Sequence, residues 1–171
     1  IGHGCATANT TGHSSVYIGS SAYAAGTDSV NNVVIGFDAM KSSSGGGSHV
    51  IIGNDAAKNM GNGVSYATVI GDRAVGNGAM SSDHNSLIGH YSGFQMTSGS
   101  QNTAYGSNSL AACTTGGTNV AIGYAAMDAA TTTTSNVAVG ANALGSLTVG
   151  GQNVAVGTEA GTSVTTADEV T

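Results

Sequence analysis

A short apolar stretch followed by glycine returns along the chain at Gly2, Gly19, Gly36, Gly53, Gly71, Gly89, Gly106, Gly123, Gly140 and Gly157, in steps of 17 or 18 residues. Such self-similarity marks a repeat architecture, in which each unit buries its apolar face only by stacking on its neighbours. The clearest copies are Asn119-Val120-Ala121-Ile122-Gly123, Asn136-Val137-Ala138-Val139-Gly140 and Asn153-Val154-Ala155-Val156-Gly157. Each opens with a β-branched run too short for a helix, which predicts a strand of about four or five residues ending at the glycine. Gly, Thr, Ser and Asn recur too often for long helices to compete. The expected fold is all-β: a parallel β-roll or β-solenoid of about ten turns, forming a single repeat domain over residues 1–171.

Other columns of the repeat sharpen this. The third residue past each glycine is small, as in Cys5, Ala22, Ser92, Ala126, Ala143 and Ala160; turns stacked at about 4.8 Å leave room there for little more than a methyl or hydroxyl. The next position is mostly apolar, and the following stretch, such as residues 41–48, is rich in Ser, Thr, Gly and Asn, which predicts turns and space for a second short strand. Asn stands four residues before the glycine at Asn32, Asn85, Asn102, Asn119, Asn136 and Asn153. Stacking would align these amides into a hydrogen-bonded ladder, a structural role rather than a binding one.

Alternate strand residues face opposite sides. The pairs Val16 with Ile18, Val33 with Ile35, Val50 with Ile52, Val120 with Ile122 and Val137 with Val139 are assigned to the interior. The residue between them is also never polar: Tyr17, Val34, Ile51, Val69 and Leu87, then Ala104, Ala121, Ala138 and Ala155. Strands apolar on both faces are buried on both. The row Tyr17, Val34, Ile51, Val69 and Leu87 is therefore expected to be an oligomer interface.

Composition narrows the function classes. Three basic residues, Lys41, Lys58 and Arg73, against a net charge of −6 argue against nucleic-acid binding, and no apolar run is long enough for a membrane-spanning helix. With 40% apolar residues and no proline, neither a disordered chain nor collagen fits. The opening Ile1-Gly2, without Met, reads as a segment of a longer fibrous protein.

The residues offer little chemistry. Cys5 and Cys113 lie six units apart, about 30 Å along a stack, too far for a disulfide. His3, His13, His49, His84 and His90 lack metal-ligand spacing and are expected on the surface or in loops. Asp38 and Asp55 occupy equivalent places two past the glycine, with Arg73 next; this place is expected to be solvent-exposed, as at Asn142 and Ala125. Asn9-Thr10-Thr11 is a formal glycosylation sequon of low specificity. No nucleophile elbow or phosphate-binding loop is present, and no catalytic residue, metal or cofactor is assigned.

The Asn-Val-Ala-Ile-Gly unit followed by a small residue and Leu or Met, as in 119–127 and 136–144, resembles the repeat of YadA-like head domains of trimeric autotransporter adhesins, which also occurs in bacteriophage tail-fibre proteins. The resemblance covers all ten units, most clearly residues 101–161. It implies a left-handed parallel β-roll in which three chains associate about a common axis. The units here are longer than is usual in adhesin heads, which favours the fibre branch. The expectation is a non-catalytic structural or adhesive segment: a rigid homotrimeric shaft or head about 48 Å long, extracellular, on a virion fibre or bacterial surface. Its expected partners are itself and a cell-surface receptor or glycan. A self-assembling surface filament is the alternative. An ice-binding solenoid would need a regular Thr array, and a polysaccharide-cleaving tailspike clustered carboxylates; neither pattern is present.

Overall fold

A computed structural model describes residues 1–169; the last two residues of the expected repeat domain lie outside the described residues. The β-branched runs form nine three-residue strands: β1 (Val16–Ile18), β2 (Val33–Ile35), β3 (Val50–Ile52), β4 (Thr68–Ile70), β5 (Ser86–Ile88), β6 (Thr103–Tyr105), β7 (Val120–Ile122), β8 (Val137–Val139) and β9 (Val154–Val156). They make one sheet in chain order, every pair parallel and every residue opposite its equivalent in the next unit, as in Val137↔Val154 and Val139↔Val156. The protein is therefore a parallel β-solenoid, with eight turns from the first strand to the last rather than ten, and no helix among the described residues. At about 4.8 Å per turn the sheet is about 38 Å long. The first unit stacks without forming a strand: the carbonyls of Ile1 and His3 accept bonds from the amides of Gly19 and Ser21. In place of a full second strand there are isolated parallel bridges, Val30↔Gly47↔Ser65 and Gly117↔Thr134↔Gly151.

The strand ends at glycine because the backbone there takes a φ between 129° and 147° throughout the column, a region L-residues avoid. The approach of the next turn adds a second reason. A Cβ on Gly140 would stand 2.3 Å from the carbonyl oxygen of Gly157, and one on Gly106 2.2 Å from that of Gly123. Beyond the glycine the chain bends through left-handed residues two and four places on. Asp38, Ala125 and Asn142 in the first column have φ of 51°, 51° and 54°, and Met40, Met127 and Leu144 in the second 49°, 53° and 49°. Each left-handed non-glycine residue costs about 1–2 kcal/mol. Turn-to-turn amide bonds such as Asp38 N to Ser20 O at 3.0 Å and Asn142 N to Tyr124 O at 2.9 Å hold it there.

The core reverses the predicted face assignment. Val34, Ile51, Val69 and Leu87, expected at an oligomer interface, are fully buried within their own chain, as are Ala104, Ala121 and Ala138. Tyr17 is half-buried, its ring stacked on Tyr23 at 4.7 Å. These residues pack on the small column (Ala22, Ala39, Ala56, Ala126, Ala143) and on Met40, Val75, Leu110, Met127 and Leu144, all fully buried. The residues assigned to the interior point outward: Val16, Ile18, Val50 and Ile122 are exposed, and Val33, Ile35, Ile52, Val120, Val137 and Val139 are half-buried; Val154 and Val156, at the same places of the last unit, are exposed too, Val156 at 69%. Volume is traded between the inward strand position and the apolar column it faces: the strand residue is Ala where Leu110, Met127 and Leu144 are large, and Ile51 or Leu87 where Ala57 or Gly93 is small.

Candidate interaction surfaces

The strand side chains that leave the core form one continuous outer face. Its rows are Val16, Val33, Val50, Thr68, Ser86, Thr103, Val120, Val137 and Val154, and Ile18, Ile35, Ile52, Ile70, Ile88, Tyr105, Ile122, Val139 and Val156. All are exposed or half-buried, making an apolar stripe the full length of the sheet. The three hydroxyl residues in the first row are the sequence signal that this side, and not its opposite, meets the surroundings.

Behind the strands runs the amide ladder. Asn102, Asn119, Asn136 and Asn153 each donate from Nδ2 to Oδ1 of the preceding asparagine, at 3.2, 3.0, 3.1 and 2.9 Å, starting from Asn85. The same Oδ1 atoms accept the backbone amide of the next asparagine, at 3.0 to 3.1 Å. A second Nδ2 bond closes each loop, as from Asn119 to Thr133 O at 2.8 Å. All five are buried.

His49 corrects the expectation of a surface histidine. It stands in the asparagine column, 1% exposed. Its backbone amide donates to Asn32 Oδ1 at 3.0 Å, while its Nδ1 accepts from the Ala67 amide at 3.2 Å. The ring is thus held neutral with its proton on Nε2. Burial pushes its pKa below the usual value, against weaker opposing effects of Val64, Asp83 and the Ala67 bond. His3, His13, His84 and His90 are exposed.

Two past the glycine, the expected solvated column is corrected in part: Arg73 and Glu159 are exposed and Asp55 and Asn142 half-buried, but two members are not. Ala125 is buried, and Asp38 is 4% exposed. Its carboxylate contacts Lys41 Nζ at 3.1 Å and Lys58 Nζ at 3.0 Å; Lys58 also contacts Asp55 at 3.0 Å, and Arg73 Nε lies 3.8 Å from Asp55. Burial raises the Asp38 pKa, but hydrogen bonds and charge from Lys58 and Lys41 bring it below the usual carboxylate value. At Asp38 the carboxylate is engaged by lysines of two successive turns, Lys41 of its own and Lys58 of the next. All three basic side chains are engaged here, since Arg73 Nη1 also donates to the Tyr91 hydroxyl at 2.8 Å.

Cys113 is buried and its thiol is pushed up to about 11 by burial; Cys5 is half-buried, and both are free. Asn9 of the sequon is tied to Gly12 through both its amide nitrogen and its oxygen. Among the described residues no three His, Cys, Asp or Glu side chains converge as a metal site, and no helix is long and apolar enough to cross a membrane. Two adjoining hollows open on the face bearing Tyr91, Asp128 and Glu159. No family model matches the chain, and no curated protein or solved structure does either.

Proposed function

We propose that the chain is a non-catalytic segment of an extracellular fibre, a rigid shaft or head on a viral tail fibre or bacterial surface adhesin, working as a homotrimer that helps attach its bearer to a host or surface. The observation that carries this is the outer apolar stripe. A rod whose turns are fully bonded to each other, yet which leaves Val and Ile uncovered along one entire side, gains by laying that side against copies of itself. Complete burial of such a side chain is worth about 1.5–3 kcal/mol, and these half-covered ones would recover part of that at eight of the nine strands, β6 presenting Thr103 and Tyr105 instead. The threefold number and the left-handed sense come from the resemblance to YadA-like heads; the apolar stripe supports association as such. The contact face in this reading is the Val16–Ile18 to Val154–Val156 side rather than the Tyr17 row.

Sedimentation equilibrium of the purified segment tests it, with Ile122→Asp beside the wild type. The expected result is a wild-type trimer and a folded, dissociated variant, because Ile122 is 37% exposed within the single chain and a carboxylate there is costly only once another chain covers it. A stable wild-type monomer at micromolar concentration would overturn the proposal.

A further inference from the structure

The turns carry a feature that neither the core nor the apolar stripe uses. Tyr91 is fixed from three sides: its hydroxyl accepts from Arg73 Nη1 at 2.8 Å, and its ring meets His90 and Phe94 edge-to-face with centroids 4.1 and 4.6 Å away. Tyr91 and Phe94 wall one end of a hollow of about 380 Å³ whose floor is Ala111 and Ala112 and whose far side is Asp128. The hollow exists because the next turn carries alanines where its neighbour carries Phe94 and Gln95. The amides of Gln95 and Asn108 also line it. Asp128 is shared with a second hollow one turn on, of about 430 Å³, lined by Asn142 and Glu159 among others. Burial raises the Asp128 pKa, while the backbone amides of Asp128 and Ala129 counteract this.

We infer that these hollows form a binding cleft for an uncharged oligosaccharide, with Tyr91 and Phe94 supplying apolar ring surface to a pyranose and Gln95, Asn108, Asp128 and Asn142 as hydroxyl partners. This inference rests on the adhesive reading above and adds the ligand class. Three arguments select that class. Amides and carboxylates together offer the mixed donors and acceptors that sugar hydroxyls, which do both, require, beside ring surface for the sugar's C–H face. The only charges lining the hollows are the carboxylates of Asp128 and Glu159, and the chain's three cations are already engaged with Asp38, Asp55 and Tyr91, so acidic sugars and phosphates are repelled. A peptide strand would need an open strand edge, and here the turns bond to each other on both sides, as Gln95 N to Ala111 O and Ala112 N to Asp128 O show. Two hollows in line suit a ligand of at least two linked sugars.

Saturation-transfer NMR and calorimetric titration of the intact segment with lactose, N,N′-diacetylchitobiose and 3′-sialyllactose test this. At least one neutral disaccharide is expected to bind, with 3′-sialyllactose weaker, and Phe94→Ala is expected to weaken binding by about tenfold. Ala112→Trp fills the hollow from its floor and provides a second variant should Phe94→Ala unfold; it is expected to abolish binding with the circular dichroism unchanged. Failure of both neutral probes, equal binding of the sialylated one, or binding indifferent to Ala112→Trp would overturn the inference. Sedimentation of the same samples separates the two readings. A trimer that takes no sugar removes this inference alone, whereas a monomer that binds sugar removes the fibre assembly and leaves the cleft.

Discussion

Replacing Gly140 by alanine tests the stacking at its tightest point. At a φ of 136° an alanine sits in a region costing about 1–3 kcal/mol. Its Cβ would lie 2.3 Å from Gly157 O, 2.5 Å from Gly157 C and 2.9 Å from Thr158 N. All three are backbone atoms just past β9, tied back by the Gly157 N to Val139 O bond, so the neighbouring turn must shift, adding about 1–3 kcal/mol of overpacking. The expected total is about 2–6 kcal/mol. Gly157 is the internal control. Its φ is 129°, yet its nearest Cβ neighbour would be Ala160 Cβ at 3.9 Å, so Gly157→Ala carries only the conformational part, about 1–3 kcal/mol. Gly106→Ala, with its 2.2 Å contact to the next turn, should behave like Gly140→Ala. The assay is equilibrium urea unfolding followed by circular dichroism at one fixed protein concentration, because association couples to stability. Equal loss of stability at Gly140 and Gly157 would refute close backbone approach as the reason for the glycine column.

Three further outcomes are expected. Asn119→Ala leaves Thr133 O and the Asn136 amide without their buried partners and should cost about 2–6 kcal/mol in urea unfolding, since each orphaned group costs about 1–3 kcal/mol. His49 has a folded pKa below its usual 6.5, so below that pH the unfolded chain takes up the proton first and stability falls as pH falls; melting temperatures from pH 7.5 to 5 should show this decline, and His49→Asn, the residue of the column, should flatten it. Iodoacetamide should label Cys5 in the native protein and leave Cys113, whose thiol is buried and pushed up to about 11, unmodified until urea is added.

Periodicity alone located the strands, their parallel pairing and the asparagine ladder, because equivalent residues at equivalent places in a solenoid must meet. The side of the strand facing inward was not decided by hydrophobicity, since both sides are apolar. The clue lay in Thr68, Ser86 and Thr103 on the outer row, and in the alanines opposite Leu110, Met127 and Leu144. His49 was legible as a ladder member from its column and was missed because histidine does not look like asparagine. In the column two past the glycine, Asp38 and Ala125 are buried while Arg73 and Glu159 are exposed on the same left-handed backbone; Asp38 is engaged by Lys41 of its own turn and Lys58 of the next, pairings that a lone Asp does not announce. The cleft at Tyr91 and Asp128 depends on side chains from successive turns lining up across the surface, a relation visible only once the turns are stacked.

The two longer units, Gly53 to Gly71 and Gly71 to Gly89, have a further consequence. Each holds one extra residue, yet Val50 still pairs with Thr68 and Thr68 with Ser86. The small and apolar positions after each glycine, Ala56 with Ala57 and Ala74 with Val75, also keep their places in the core. The surplus is absorbed between these positions and the next strand. Insertions there leave the spine untouched, so the loops are free to diversify, or to carry a grafted epitope, at a rate independent of the scaffold. Changes in reach, by contrast, come only in whole turns, duplicated or deleted as units.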